Sequence, residues 1–427
     1  MKRFGFYFSC AFALGVMPAR ADMYASLQRV YDANPVIAQQ RQAVDAARAD
    51  VRLARTDAKP YLGVGANIGA ARTELAGQTF DYVPTQIGIQ AQQNLFKGFA
   101  TIAQIKAAKG ILESQKALLY ATQQDVFMQA INAYIDVLNS EQVLNLNKNN
   151  QRVLQEYYDY CVQRAQVGML TKTDVAQASA RLESAKYHVF DARAAYDNSL
   201  ETFRRIYGDV DSEYVDISLK RVAHVFPENV DIASTWALKN HPALLALEAQ
   251  SDAARENITI ARQSMLPSID VRASVMQLDD LPYVDRVRDG RVGVYLSVPL
   301  YDKGKASANV EKVRFTVAGI DDQIANTRAV ILENLHQAWN LYDAQVYAIS
   351  AAQAAVEANK LALRGIRAEQ KSGRRTVLDV LNAEQELLNS QVALTRAQHG
   401  KTAAYFAILA SSGLLSPQNL GIKTGAE

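Results

Sequence analysis

The second half of the chain repeats the first, and this duplication limits the possible folds more than any other feature. Matching residues recur at a near-constant offset of 205 to 207 residues. The pairs are Asn34-Pro35 with His241-Pro242, Asp45-Ala46-Ala47-Arg48 with Asp252-Ala253-Ala254-Arg255, Leu95-Phe96 with Leu300-Tyr301, and Asp174-Val175 with Asp379-Val380. Such self-similarity is typical of two copies of one structural unit. We predict repeats at 22–220 and 221–413, packed side by side, and a tail at 414–427.

Two long stretches of the chain, 85–226 and 300–416, contain no proline. Proline breaks helix interiors, so both stretches permit very long helices, and both are rich in good helix formers such as Ala, Gln, Leu and Glu. As one helix, 98–166 would span ~100 Å at ~1.5 Å per residue. After a first, shorter helix, we predict in each repeat a long antiparallel helical hairpin, which reverses near Gly168 or near Gly373.

Each repeat also contains two short segments in which apolar and polar side chains alternate, within 61–96 and within 268–300. Alternation with a period of two predicts strands, and their length of about ten residues suits tilted transmembrane strands. An apolar face toward lipid and a polar face toward a water-filled lumen would explain the pattern. The alternative is a soluble sheet, but long helices offer little to cover it. The intervening segments, 71–85 and 277–290, are interpreted as external loops.

Four strands cannot close a barrel, because bacterial outer-membrane barrels begin at about eight strands. Open strand edges are not tolerated in hydrocarbon. Two copies of the chain would supply about eight strands and three copies about twelve, and the pattern alone does not choose between them. The expected fold class is mainly α, with long helical hairpins and four strands per protomer that enter a shared transmembrane β-barrel.

The N-terminal residues 1–21 have the basic start, apolar run and Ala-x-Ala ending of a secretory signal peptide, so we exclude them from the fold. The apolar run Phe4–Val16 is shorter than the roughly 20 residues of a spanning helix, and no later stretch predicts one. Removal of this segment leaves one cysteine, Cys161, which excludes an intrachain disulfide. The formal net charge of +2 gives no support for nucleic-acid binding.

No group of residues predicts catalysis or a bound cofactor. The five histidines are scattered without the spacing of metal ligands. Gly63, Gly65 and Gly69 miss the spacing of a phosphate-binding loop and alternate on one face of a predicted strand. We therefore expect no enzyme activity, no cofactor and no metal site.

Several motifs together resemble the TolC family of outer-membrane efflux proteins over essentially the whole chain after residue 21. The motifs are the Asn-Pro and His-Pro helix starts, the strand segments ending in Asn94-Leu95-Phe96 and Pro299-Leu300-Tyr301, the stretch 133–139, and the turns at 167–175 and 372–381. The resemblance implies a homotrimer in outer-membrane lipid, with a twelve-stranded barrel and a twelve-helix periplasmic tunnel. It also implies export of drugs or secreted proteins, with a periplasmic adaptor and an inner-membrane pump of the RND or ABC type.

The resemblance assigns a gate to residues near the two turns. Thr173 and Asp174 would lie opposite Arg375 and form links that hold the inner end of the tunnel closed. Exposed ion pairs are typically worth only ~0–1 kcal/mol, so a partner with a few kcal/mol of differential affinity could open such a gate. The family's gating tyrosine position is Gln370 here, which predicts a looser gate.

The resemblance also implies a cation-selective ring and an adaptor-docking surface. Asp379 would place one carboxylate per protomer around the axis, and the family's second acidic position is Asn382, which predicts weaker cation binding. The docking tips would be Val167, Gly168 and Met169 in the first repeat, and Ser372, Gly373 and Arg374 in the second. Glycine is also the usual residue at any helix reversal, so the docking role depends on the resemblance.

A periplasmic helical adaptor and an envelope spacer protein are the alternative functions. Adaptors also carry long helical hairpins, but usually one hairpin flanked by compact β domains. Here two equal hairpins each follow a pair of predicted strands, which favours the export channel.

Overall fold

The computed structural model describes residues 23–75, 77–208, 217–282 and 284–424. The predicted signal peptide at 1–21 lies outside the described residues. Within them, the element order of the first half recurs in the second: two helices, a strand region, a very long helix and a last helix. The predicted duplication is therefore present in the order of the elements.

The described residues of the first half form four α-helices, and the predicted long hairpin is confirmed. The helices are α1 (Met23–Ala33), α2 (Pro35–Thr56), α3 (Ala100–Gln166) and α4 (Lys172–Tyr207). The second half repeats them as α5 (Val230–Asn240), α6 (Pro242–Arg262), α7 (Lys305–Lys371) and α8 (Val377–Ser411). Helices α3 and α7 have 67 residues each. None of the described helices combines the length and the apolar character needed to cross a membrane.

Short 3₁₀ turns connect some of these helices to their neighbours. They lie at Leu219–Arg221, Ala223–Val225 and Gln263–Met265. The last of them extends α6 to within three residues of the following strand, so the chain passes from helix to strand almost directly.

Six strands in the described part of the chain form two sheets. The strands are β1 (Tyr61–Ile68), β2 (Ala71–Leu75), β3 (Gln78–Tyr82), β4 (Thr85–Lys97), β5 (Ser268–Leu281) and β6 (Val284–Ser297). The larger sheet is antiparallel with the order β1-β4-β5-β6, so the two halves of the chain join where β4 pairs with β5. Strands β2 and β3 form a separate hairpin.

The interpretation of 71–85 and 277–290 as loops was wrong. The first segment contains β2 and β3, and the second contains the end of β5 and the start of β6. Polar residues suggested loops, but here they pair across strands: Arg72 contacts Asp81 at 2.6 Å, and Arg286 contacts Asp279 at 2.6 Å. Such cross-strand charge pairs stabilise an exposed hairpin.

The described chain divides into two compact units, and each draws segments from both halves. The first contains the described parts of Met1–Pro35, Gln123–Ser234 and Glu333–Glu427, and the second contains Val36–Thr122 and Thr235–Leu332. Neither unit corresponds to one sequence repeat. The boundary predicted between the repeats, at 220 and 221, stays a prediction.

Aromatic side chains form part of the core of the first unit. The ring of Tyr31 stacks on Phe127 with centroids 6.3 Å apart, and Phe203 stacks on Tyr207 at 4.3 Å. The hydroxyl of Tyr207 donates a hydrogen bond to the carbonyl of Ala130 at 2.8 Å. Because a buried hydroxyl needs a partner, this bond fixes α4 against α3, while the stack of Tyr31 on Phe127 joins α1 to α3.

In the second unit, polar contacts connect α6 to the long helices α3 and α7. The ammonium of Lys106 on α3 lies 3.5 Å from Glu256, and the guanidinium of Arg328 on α7 lies 2.9 Å from Glu248. The hydroxyl of Ser251 donates to Asp321 at 2.7 Å. The larger sheet belongs to this same unit.

Candidate functional site

Each long hairpin reverses through a glycine with a left-handed backbone. At the end of α3, the amide of Met169 donates to the carbonyl of Arg164 at 2.9 Å, and the amide of Gly168 donates to Ala165 at 3.1 Å. This pair of bonds is the Schellman motif, which places a left-handed residue after the helix. Gly168 has φ +76°, and a side chain added there would meet open space. The backbone conformation, rather than packing, requires glycine.

The second tip has the same geometry at the end of α7. The amide of Arg374 donates to the carbonyl of Glu369 at 2.9 Å, and the amide of Gly373 donates to Gln370 at 3.0 Å. Gly373 also has φ +76°. The chain therefore reverses at Gly373 by the same backbone geometry as at Gly168.

A capping box begins the helix that follows each tip. Thr171 accepts a hydrogen bond from the amide of Asp174 at 3.1 Å, and the carboxylate of Asp174 accepts one from the amide of Thr171 at 2.9 Å. Thr376 and Asp379 make the same two bonds at 3.2 and 2.9 Å. These bonds satisfy amides that the first helical turn leaves unpaired. Asp174 and Asp379 thus both have a local structural role.

Within the protomer, Arg375 pairs with a residue that the sequence analysis did not select. Its Nε lies 2.9 Å from the carboxylate of Glu369, and this hydrogen bond raises the pKa of Arg375. Asp174 makes its hydrogen bonds with Thr171 instead. Thr173 is exposed on the first turn of α4, and Gln370 is half-buried near the end of α7. The predicted link between Asp174 and Arg375 stays a prediction.

The two positions of the predicted ring lie on the first turns of α8. Hydrogen bonds from the Thr376 amide and hydroxyl, with a smaller effect of nearby Arg375, lower the pKa of Asp379. The side chain of Asn382 is exposed and accepts a hydrogen bond from Arg181 of α4 at 2.9 Å. Asp379 is therefore ionised over a wide pH range, and Asn382 helps to join the two hairpins.

The two tips differ in the side chains that they expose. Val167 and Met169 are 69% and 64% exposed, so the first tip is apolar. Ser372 and Arg374 are exposed at the second tip, which is polar. A protein that binds both tips would therefore need an apolar surface opposite the first tip and a polar surface opposite the second.

A small apolar core lies next to the tips and joins both hairpins. It contains Leu154, Cys161, Ala178, Leu182, Ala185, Val377 and Leu381, from helices α3, α4 and α8. Cys161 is fully buried, and burial raises the pKa of its thiol to about 11. A buried thiol of this kind is protonated and unreactive at neutral pH, so Cys161 acts here as an apolar filler.

One ion pair in this region was missed from the sequence. The guanidinium of Arg367 on α7 pairs with the carboxylate of Glu384 on α8. Glu384 is buried, which raises the pKa of its carboxyl, while the charge of Arg367 opposes that rise. The hydroxyl of Tyr157 is also buried and has no hydrogen-bond partner among the described residues. Burial raises the pKa of Tyr157, and Arg367 lies close enough to oppose this rise.

The larger sheet separates apolar from polar side chains. One face carries most of the apolar positions of the four strands: Leu62, Val64, Ala66, Ile68, Ile87, Ile89, Ala91, Ile269, Val271, Ala273, Val275, Val292, Val294 and Leu296. The opposite face carries Gln86, Gln90, Asp270 and Arg272 at the intervening positions. Val64 and Val292 are 72% and 82% exposed, so no part of the described chain covers the apolar face.

Long helical hairpins that end in glycine tips, with a sheet whose apolar face is uncovered, define the class of long-helix outer-membrane channels. The chain belongs to the outer membrane efflux protein family, whose model matches residues 26–209 and 234–414. It is an outer-membrane export channel and not an enzyme. The two matched segments correspond to the two halves of the duplication.

Relatives and solved structures agree with this assignment. The chain is 30% identical to the outer membrane efflux protein BepC of Brucella suis, over 93% of this chain and 86% of that protein. It is 26% identical to the outer membrane protein TolC of Escherichia coli, over 92% and 83% of the two chains. Its fold matches the CmeC outer membrane channel of Campylobacter jejuni with a TM-score of 0.83 at 16% identity, over 92% of this chain and 86% of that one.

Proposed function

We propose that three copies of this chain form one export duct, with a twelve-stranded barrel in the outer membrane and a tunnel of helical hairpins in the periplasm. The uncovered apolar face of the four-stranded sheet carries this proposal. Strands β1 and β6 each have a partner on one side only, and open edges are not tolerated in hydrocarbon. Closure by three copies follows the TolC-family resemblance.

The tips form the gate of this duct. Arg375 holds the second tip in place through Glu369 in the closed state, and links from Thr173 and Asp174 to Arg375 hold neighbouring hairpins together. Gln370 adds no strong link, so the gate is weakly closed. The ring of Asp379, with the neutral Asn382, makes the entrance cation-preferring.

The periplasmic adaptor docks on the tips, and an inner-membrane pump of the RND or ABC type supplies the substrate. The apolar side chains Val167 and Met169 bury against the adaptor, while Ser372 and Arg374 make polar contacts around Gly168 and Gly373. Because apolar burial contributes most to such contacts, replacing Met169 with Asp should weaken adaptor crosslinking more than replacing Ser372.

Single-channel conductance in planar bilayers tests the gate. We expect small, cation-preferring steps from the detergent-purified protein, and larger steps from Arg375→Ser. Arg374→Ser is the matched control, because Arg374 lies on the same exposed tip but has no ion pair among the described residues. No conductance from a folded oligomer would contradict the channel, and equal steps from both variants would contradict the role of Arg375.

Deletion of the protein tests what passes through the duct. Greater drug sensitivity with unchanged secretion would indicate drug efflux, whereas loss of particular secreted proteins would indicate type I secretion.

A further inference from the structure

The apolar face of the β5–β6 hairpin ends at a charged patch. Along this face, Val271 pairs with Val294, Ala273 with Val292, and Val275 with Gly290. The next two rows on the same face are Gln277 with Arg288 and Asp279 with Arg286. In β5 and β6 the register therefore places two arginines and one aspartate beyond the apolar pairs, next to Ile87 of β4. We call Gln277, Asp279, Arg286 and Arg288 the arginine patch.

Hydrogen bonds connect the arginine patch and leave it with a positive charge. The Nε of Arg286 lies 2.6 Å from Asp279 Oδ1, and the Nε2 of Gln277 donates to Asp279 Oδ2 at 2.8 Å. The Nε of Arg288 donates to Gln277 Oε1 at 3.3 Å. Among the described residues, the terminal nitrogens of Arg288 have no recorded hydrogen-bond partner. Two guanidinium groups thus share one carboxylate.

On the opposite face of the same hairpin, each arginine has an acidic partner. There Arg291 pairs with Asp289 at 2.7 Å, and Arg272 lies 3.7 Å from Asp270. In the paired strands of the larger sheet, Asp279, Arg286 and Arg288 are the charged residues on the apolar face. The excess positive charge therefore lies on the apolar face of the sheet.

The arginine patch lies at the end of the sheet that is remote from the helices. The chain leaves helix α2 for Tyr61 and leaves β4 at Lys97 for α3, and it enters β5 at Ser268, all at one end of the sheet. The turn between Leu281 and Val284 lies at the other end. If the helices extend into the periplasm, this turn faces the outer leaflet.

We propose that Arg286 and Arg288 bind the phosphate groups of the phosphorylated glycolipid in the outer leaflet, an inference that rests on the proposed barrel. The acyl chains of such a lipid pack on the apolar rows, and its phosphates lie at the height where those rows end. Guanidinium groups bind phosphate through paired, charge-assisted hydrogen bonds. The cost of an arginine on the lipid face is small near the interface. Asp279 and Gln277 contact the Nε atoms of Arg286 and Arg288, so the terminal nitrogens of both arginines remain to bind the phosphate.

Binding of lipid A to the detergent-purified full chain tests the arginine patch. We expect wild type to bind bisphosphorylated lipid A in preference to the same lipid without phosphates, as measured by native mass spectrometry. Arg286→Gln with Arg288→Gln should weaken binding on the order of tenfold or more. Arg291→Gln is the matched control on the opposite face, and it should leave binding unchanged.

A second variant acts in the other direction. Asp279→Asn removes the negative charge of the arginine patch, so it should bind bisphosphorylated lipid A more tightly than wild type. Equal binding of the two lipids, full displacement by inorganic phosphate at the same concentration, or unchanged affinity in Asp279→Asn would each overturn the proposal. Conductance of the same wild-type preparation separates the two hypotheses, because a conducting channel without phosphate-dependent binding contradicts the arginine patch alone.

Discussion

At the scale of single residues, the tip glycines show how a backbone requirement differs from a packing requirement. A β-carbon at Gly168 or Gly373 would contact nothing, yet both residues have φ +76°. Left-handed backbone costs an ordinary residue about 1–2 kcal/mol, while asparagine tolerates it better. The sequence predicted both glycines because helix reversals commonly use them.

Substitution of Gly373 should therefore separate conformation from size. We expect Gly373→Ala to destabilise the second tip by about 1 kcal/mol, and Gly373→Asn to destabilise it less although asparagine is larger. Hydrogen exchange of the amides at the end of α7 measures the change. A greater loss of protection in Gly373→Asn than in Gly373→Ala would show that space, not backbone conformation, limits this position.

Replacing Arg367 should make the stability of the α7–α8 hairpin depend on pH, because the carboxyl of Glu384 then loses its partner. Burial raises the pKa of Glu384 and Arg367 opposes the rise, so Arg367→Gln should raise this pKa further. At pH values between the unfolded-state and the folded-state pKa of Glu384, the folded chain binds more protons than the unfolded chain. The free energy of unfolding therefore falls as pH rises through this range. We expect a loss of about 1–3 kcal/mol at neutral pH, since Arg367 is partly exposed.

Thermal unfolding of the detergent-solubilised protein at about pH 5 and about pH 7.5 measures this effect. The loss in Arg367→Gln should be smaller at the lower pH, because protonation removes the unpaired charge. The double variant Arg367→Gln with Glu384→Gln should recover most of the stability at the higher pH. A loss that is equal at both pH values would contradict the role given to the Glu384 carboxylate.

At the scale of elements, the helix start after each tip explains why some site residues were hard to predict. Thr173 and Asp174 were expected opposite Arg375, a link that stays a prediction, and within the protomer Asp174 instead bonds to Thr171. The spacing of threonine and aspartate three residues apart is a capping signal, and it was present at 171–174 and again at 376–379. By contrast, Arg367 and Glu384 become neighbours only through the register of the α7–α8 hairpin, which no local pattern predicts.

The cap of α4 can be tested against its neighbour in sequence. Thr171→Ala removes the side-chain acceptor of the capping box and should destabilise the start of α4 by about 1 kcal/mol. Thr173→Ala is the matched control, because its exposed side chain makes no recorded hydrogen bond among the described residues. Hydrogen exchange in the first turn of α4 reports both. Similar losses of protection in the two variants would contradict the cap.

The central parts of the strands were predictable from the sequence, whereas the charged ends of β5 and β6 were not. Alternation of apolar and polar residues identified β1, β4, β5 and β6, because one side of the sheet is apolar over its central rows. Where the apolar face gives way to Arg286, Arg288 and Asp279, alternation fails although the ladder continues. Strand pairing there depends on cross-strand polar contacts, so it was interpreted as a loop.

At the scale of the whole molecule, the number of copies follows from how the edges of the sheet are closed. In the proposed barrel, β6 of one copy pairs with β1 of the next, and closure leaves no free edge. In a closed ring, crosslinks between β6 of one copy and β1 of the next can join no more chains than the ring contains. The largest crosslinked species therefore gives the number of protomers, whatever the shape of the assembly.

Cysteine pairs across the two edges should give a ladder that stops at three. We place one cysteine at Val64 on β1 and one at Gly290, Val292 or Val294 on β6, because these positions share the apolar face and directly opposed positions on paired strands lie within disulfide reach. Cys161 is fully buried, and Cys161→Ser removes it from the background. Cysteines at Val64 and Val271 are the matched control, since β5 is not an edge strand. Oxidised membranes should show monomer, dimer and trimer bands for at least one β6 position. A ladder that stops at the dimer would indicate two copies, and one that continues beyond the trimer would exclude a closed ring of three.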